Sequence, residues 1–361
     1  MGIIGYEYGY LTMINISHIK ITPEVLSLIT EIDEFKGAWK LFSQLTPEKL
    51  NSLKKVATIE SIGSSTRIEG SKLSDKEVGT LLSRIKKRSF QSRDEQEVAG
   101  YAYVCDEIFS SYEAIPFTEN VIKQLHGWLL KYSKKDDRHR GEYKKFPNHV
   151  EAFDSNGKSI GIVFETSTPF KTPREMEELV NWTRKSFEEK SIHPLLAIGI
   201  FIVVFLSIHP FQDGNGRLSR ILTTLLLLKY GYAYVMYSSL ESIIEGNKEN
   251  YYLALRRTQQ SLKKSKPDFN TWLLFFLRSL QKQKRLLEEK IVKEKELSLY
   301  LPELSGEILK LINRHGRLTI RELVSMTKAN RNTIKKHIAL LARSKKIKQN
   351  GKGRGTWYTR G

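Results

Sequence analysis

The chemistry this chain can do is concentrated in one short run, from His209 to Arg220, which reads HPFQDGNGRLSR. An imidazole titrates near neutrality, so His209 suits a general base. Asp213 supplies a hard oxygen of the kind Mg²⁺ takes, and Mg²⁺ draws much of its shell from phosphates and water. Gly214 and Gly216 leave backbone N–H groups bare where the run opens a helix, and a helix N-terminus favours negative charge. Arg217 and Arg220 are three apart and share a face beside the same anion. A base, a metal ligand and a phosphate cradle together describe nucleotidyl or phosphoryl transfer. Each feature alone reads as structure: a histidine at a helix end, a Gly-Asn-Gly turn, a solvated arginine pair. Their convergence within 12 residues is what points to chemistry.

Two helices must position that run. Leu195 to Ile208 is continuously apolar, about 14 residues where a bilayer span needs about 20. It therefore reads as a buried core helix that ends at His209. A second helix is expected from about Gly216 to Tyr230. Apolar spacing places further helices over 23–35, 47–68, 75–85, 94–109, 117–132, 173–187, 250–262 and 269–296. Thr46 before Pro47 and Glu48 makes a good start for the second of these, and Gly70 stops it. Residues 133–150 read as a polar, basic loop. Residues 149–165 differ: β-prone runs flank Asp154, Ser155, Asn156 and Gly157, a hairpin pattern.

One acid sits where its own helix does not want it. Glu69 falls near the C-terminus of the 47–68 helix, at the negative end of the dipole. Ser65, four residues earlier, shares its face. An unfavourable residue in a good helix suggests a role elsewhere.

The whole chain has 361 residues and a formal net charge of +19, which implies an anionic partner. Residues 301–361 hold 15 Lys and Arg against 3 Glu, so most of the excess lies there. In that segment, helices over 306–314, 321–326 and 331–343 accompany a short strand at Leu318–Ile320. A hairpin pairs 347–350 with 356–359 across a glycine-rich turn. Cys105 is the single cysteine, so neither an internal disulfide nor a Cys-based zinc site can form. A cytoplasmic setting is expected, with no membrane contact and no signal-peptide pattern at the start.

The run 209–220 resembles the Fic motif, H-P-F-x-D/E-G-N-G-R-x-x-R, and matches every fixed position. His193 and Pro194 lie upstream where Fic proteins often carry the same pair, as do Leu125 and His126. The resemblance covers about residues 35 to 280. It implies a protein adenylyltransferase that moves AMP from ATP to a Ser, Thr or Tyr hydroxyl of a target protein. It implies His209 as the base and Asp213 as the Mg²⁺ ligand. Gly214, Asn215 and Gly216 would hold phosphates, with Leu218 and Ser219 in the same nucleotide-binding stretch. Arg217 and Arg220 would grip the β- and γ-phosphates, and Tyr251 and Tyr252 would lie near the adenine. The hairpin at 149–165 resembles the Fic flap, whose edge pairs with a strand of the target protein. Residues 65–70 resemble the inhibitory motif Ser/Thr-x-x-x-Glu-Gly/Asn, with Ser65, Glu69 and Gly70 in place. There the glutamate pairs with the second motif arginine, here Arg220. Fic proteins often pair, which implies a homodimer.

The C-terminal segment resembles a winged helix-turn-helix, with Arg331, Asn332, Thr333, Lys335 and Lys336 near the start of its third helix. Its basic excess favours duplex DNA, and protein docking is the alternative. The expected organisation is mainly α: a helical region with the inhibitory motif over 14–110, a Fic core with a small hairpin flap over 111–281, a linker helix over 282–300 and a small winged helix-turn-helix over 301–361. Two other functions stay open: a DNA-binding regulator whose Fic core senses nucleotide, and a Fic enzyme that transfers or removes another group.

Overall fold

A computed structural model describes residues 19–42, 47–84, 90, 92–153, 159–262, 264, 267–299, 303–351 and 353–361. Thr46 and the hairpin turn at Asp154–Gly157 lie outside the described residues. The chain divides into two compact units, one reaching Leu287 and one beginning at Glu288. The architecture is mainly α, as the periodicity predicts.

The first unit opens with α1 (Pro23–Phe42), α2 (Pro47–Ile68), α3 (Asp75–Arg84), α4 (Arg93–Ser111) and α5 (Glu119–Leu129). The hairpin follows as β1 (His149–Phe153) and β2 (Ser159–Glu165). Then come α6 (Thr172–Glu188), α7 (Pro194–Ile208), α8 (Asn215–Lys229), α9 (Leu240–Glu245) and α10 (Lys248–Leu262), and α11 (Asn270–Leu299) carries the chain across the boundary at Leu287. The six-residue α9 is not anticipated by the sequence reading, because one and a half turns are too short to show a period.

The core centres on α7. Residues Leu195 to Ile208 are all buried, and α6 and α8 pack beside them. His193 caps the helix, its Nδ1 accepting the Leu195 N–H at 3.3 Å, and Pro194 follows at the first helical position. Gly199 lets α11 come close: a Cβ there would meet Leu273 and Phe276, and the buried Trp272 indole donates to the Gly199 carbonyl at 2.7 Å. Burial of each large apolar side chain along α7 contributes about 1.5–3 kcal/mol, so the helix is a rigid shelf that ends at His209.

Strands β1 and β2 pair antiparallel from His149 opposite Glu165 to Phe153 opposite Ser159, with two shifts of register. Such irregularities twist a hairpin locally.

The second unit has its own core. Helices α12 (Glu303–His315), α13 (Ile320–Thr327) and α14 (Arg331–Arg343) surround Ile308, Ile312, Leu323, Ile334, Ile338 and Leu341. Strands β3 (Arg317–Leu318), β4 (Ile347–Asn350) and β5 (Trp357–Arg360) form a sheet in the order β3-β5-β4. The expected strand at Leu318–Ile320 is shorter than the sequence suggests. Thr319 is instead the N-cap of α13, in a capping box with Glu322, so Ile320 already belongs to the helix.

Candidate active site

The loop between α7 and α8 carries the predicted residues. His209 ends α7 in the left-handed region, at φ 54° and ψ 60°. A non-glycine residue there costs about 1–3 kcal/mol and persists only when its surroundings hold it. Those surroundings are Lys144 and Asn148, in the loop before β1. The Lys144 Nζ donates to the Ile208 carbonyl at 2.9 Å, and its backbone N–H donates to the Pro210 carbonyl at 2.8 Å. The Asn148 amide donates to the Phe211 carbonyl at 2.8 Å. Farther along, the Asn215 side chain closes the turn: it accepts the Phe211 N–H at 2.9 Å and donates to the Phe211 carbonyl at 2.7 Å.

The His209 ring has a defined proton position. Its Nδ1 faces the Leu206 carbonyl at 3.4 Å. A carbonyl only accepts, so Nδ1 carries the hydrogen and Nε2 keeps a lone pair. Burial and the nearby Lys144 charge push the ring's pKa down to about 4, against the pull of Glu69 and Asp213. The ring is thus neutral, as a base requires.

A second histidine braces the loop. His126, fully buried on α5, accepts the Gly141 N–H at Nδ1 (2.8 Å) and faces the Asp213 carbonyl with Nε2 (3.0 Å). Only the neutral Nε2–H tautomer satisfies both contacts. Its ring stacks on Phe211 with centroids 3.9 Å apart. Burial holds its pKa down at about 4.

At the start of α8, Gly214 takes φ 79° as the N-cap and its N–H meets the Asp213 carboxylate at 2.5 Å. Four charged groups close a ring here. Asp213 Oδ2 contacts Arg93 at 3.1 Å, Arg93 reaches Glu97 at 2.8 Å, Glu97 contacts Arg217 at 3.0 Å, and Arg217 returns to Asp213 Oδ1 at 3.4 Å. Burial works against the Asp213 charge, yet Arg217, the Gly214 N–H and Arg93 hold its carboxyl below the usual range. Arg217 is 2% exposed, and its buried Nε has no hydrogen-bond partner. A buried, unpaired guanidinium donor at a helix N-terminus fits an anion.

Glu69 already puts a carboxylate at that helix end. Its Oε1 accepts from Arg220 at 2.7 Å, and a Cβ on Gly216 would collide with the same carboxylate. Burial opposes the charge, but Arg220 and Arg217 keep the Glu69 pKa low. Arg220 is 4% exposed and also donates to the Ser65 hydroxyl (2.8 Å) and the Ser65 carbonyl (2.9 Å). Leu218 and Ser219 are buried on α8. On α10, Tyr251 is buried near Arg220, and Tyr252 is exposed beside it. Gly70, at φ 107°, turns the chain out of α2.

The sequence reading missed Arg93, Glu97, Lys144 and Asn148. A signal for the first pair exists: Ser92 and Glu95 form a capping box that starts α4, which places Arg93 and Glu97 one turn apart. Nothing local marks Lys144 in its basic loop. Among the described residues no group of three or more His, Cys, Asp or Glu could hold a metal. A nucleotide-borne Mg²⁺ needs fewer protein ligands, and the lone Asp213 carboxylate is compatible with that. No described helix is long and apolar enough to cross a membrane.

Residues 116–227 match the model of the Fic/DOC family. The chain is 35% identical over 101 residues to a probable protein adenylyltransferase of Aquifex aeolicus, covering 28% of each chain. It is 26% identical over 218 residues to a protein adenylyltransferase Fic of Drosophila mojavensis, covering 58% of this chain and 40% of that one. The chain thus spans well under half the length of these curated relatives. In fold it is similar to a Fic family protein of Desulfovibrio desulfuricans (TM-score 0.62, 22% identity, 95% of this chain and 97% of that chain). It is also similar to a Fic domain containing signaling protein of Bacteroides thetaiotaomicron (TM-score 0.56, 25% identity, 71% of this chain and 97% of that chain).

Proposed function

We propose that this protein transfers AMP from ATP to a side-chain hydroxyl of a target protein, and that Glu69 holds it in an inhibited state. The observation that carries the reading is the Glu69 carboxylate at the N-terminus of α8, on Arg220 at 2.7 Å and against Gly216. An anion already sits where a phosphate would be welcome. The similarity to proteins named protein adenylyltransferase supports the same chemistry.

In this mechanism Arg217 and Arg220 bind the β- and γ-phosphates beside the backbone of Gly214, Asn215 and Gly216. Asp213 would hold Mg²⁺ together with the phosphates, where the ion screens their charge. The target hydroxyl comes in along the hairpin edge, a mode suited to an extended segment. His209 Nε2 takes the hydroxyl proton, the oxygen bonds to the α-phosphorus, and the bond to the β-phosphate oxygen breaks as pyrophosphate leaves. Tyr251 and Tyr252 border the adenine side. Arg220 cannot serve Glu69 and the γ-phosphate equally well, which is the basis of the inhibition.

Glu69→Gly tests both halves of the reading. A charge-assisted hydrogen bond contributes about 1.5–3 kcal/mol, so its removal should raise the rate by up to about two orders of magnitude. The variant should label itself and a cell lysate from ATP carrying its label at the α-phosphate. Label arriving from the γ-phosphate would mean phosphorylation, and equal rates for both proteins would reduce Glu69 to a helix end.

A second reading concerns the C-terminal unit. Arg331, Asn332, Lys335 and Lys336 are all exposed on the first turns of α14. The three helices and the β4–β5 hairpin support reading the unit as a winged helix, and that basic helix face suits the phosphates of duplex DNA.

A further inference from the structure

Lys144 is, with Lys284, one of two buried lysines among the described residues. It is 3% exposed, where a lysine is almost never buried unless paired. It lies outside the 209–220 run and the inhibitory segment. All three of its ammonium hydrogens are used: it donates to the Ile208 carbonyl, the Asn148 side-chain oxygen and the Thr166 hydroxyl, each at 2.9 Å.

Those three partners belong to different working parts. Ile208 is the last residue of α7, directly before the histidine. Asn148 and Thr166 immediately flank the hairpin, one before β1 and one after β2. The Thr166 hydroxyl donates in turn to the Asn148 carbonyl at 2.7 Å, which closes the foot of the hairpin. The Asn148 amide then returns to the Phe211 carbonyl at 2.8 Å, beyond the histidine. A single ammonium group thus joins the left-handed His209 turn to both legs of the hairpin.

We propose that Lys144 is a positioning residue that sets the His209 ring and the foot of the hairpin in one frame, so that the base and an incoming hydroxyl meet in register. This rests on the transfer mechanism above for the roles of His209 and the hairpin. The electrostatics agree with the geometry. The groups that act on the His209 ring are Lys144 from the loop before β1, Glu69 after α2, Asp213 before α8 and the Leu206 carbonyl of α7. Burial is the larger cause of the lowered pKa; of these groups Lys144 adds to it, while the other three oppose it. Burial pushes the Lys144 pKa down to about 8, against the pull of Glu175 of α6, whose own carboxyl is pushed up by burial.

The test uses the full chain in the Glu69→Gly background, with Lys144→Met, Lys144→Arg and Thr166→Val added singly. Histidine-selective NMR reads the His209 ring between pH 8 and 5, assigned by comparison with His209→Ala. In the parent the ring should stay neutral throughout. In Lys144→Met it should begin to protonate within that window, and Lys144→Arg, which keeps the charge, should leave it neutral. For AMP transfer, Lys144→Met should lower kcat about 100-fold, the scale expected of a misplaced base, with KM for ATP nearly unchanged. Thr166→Val, nearly isosteric, keeps the proposal testable if Lys144→Met does not fold, and should lower kcat about 10-fold. Parent-like kcat and ring titration in Lys144→Met, or parent-like kcat in Thr166→Val, would overturn the proposal. If the parent transfers no AMP, the transfer reading fails, while the ring titration still decides whether Lys144 governs His209.

Discussion

His209 and His126 share a pKa near 4 for the same first reason, burial, but the two rings do different work. His126 has both nitrogens committed, to Gly141 and Asp213, so it can only brace. His209 commits Nδ1 weakly to Leu206 and leaves Nε2 open. His209→Ala should therefore abolish AMP transfer while ATP binding, measured by calorimetry, survives. Turnover equal to the wild type would remove His209 from the mechanism. The bracing histidine carries a pH consequence. Above pH 6.5 both folded and unfolded chains hold His126 neutral. As pH falls from 6.5 toward 4, the unfolded chain gains a proton that the folded one refuses, and stability drops by about 3 kcal/mol. Below that window the loss is complete. In His126→Gln the melting temperature should fall less between pH 7 and 5 than in the wild type, and an equal fall in both would refute the assignment.

Glu69 does not reach Arg220 by its own contacts alone, because the end of α2 is clamped. Arg67 forms a two-point contact with Glu245 of α9, at 2.6 and 2.9 Å, and reaches Asp75 of α3 at 2.9 Å. The Lys248 ammonium donates to the Ile68 carbonyl at 2.8 Å, satisfying one of the orphan carbonyls of the helix end. Arg67 is only partly buried, at 21% exposure, so its pairs are discounted for solvent and still act on a shared geometry. Arg67→Gln should loosen the α2 end and raise AMP transfer several-fold, well short of Glu69→Gly. The double variant should match Glu69→Gly alone, because both act through one contact. A rate unchanged by Arg67→Gln would show that the Glu69–Arg220 pair holds without the clamp.

The second unit has its own buried cluster and its own capped helices, so it can be tested as a piece. Its residues 301–361 carry 15 basic against 3 acidic side chains, and this imbalance predicts counterion release on a polyanion. Expressed alone, this segment should bind duplex DNA with an affinity that falls steeply between about 50 and 200 mM salt. Reversing Lys335 and Lys336 to Glu should reduce the salt slope along with the affinity. No binding at low salt would favour docking to a protein.

Much of the candidate site was legible in the residue order because its parts are local. The histidine, the aspartate, the glycines and both arginines lie within a few turns of one another, and a helix N-terminus needs no distant partner to attract an anion. The apolar run of α7 likewise announces a buried helix. Ser65 and Glu69 could be placed on one helix face, but their distance to Arg220, some 150 residues away in sequence, exists only in the folded chain. The same holds for Lys144 and Asn148, whose loop carries no periodicity and no motif. Their significance lies in the Ile208 and Pro210 carbonyls of the His209 turn, which Lys144 satisfies from outside the turn, and in the Phe211 carbonyl, which Asn148 shares with Asn215. Those carbonyls must be satisfied by whatever the tertiary fold brings alongside, which local spacing cannot specify. Sequence order alone determined the chemistry available, and tertiary packing decided which buried charges hold it in position.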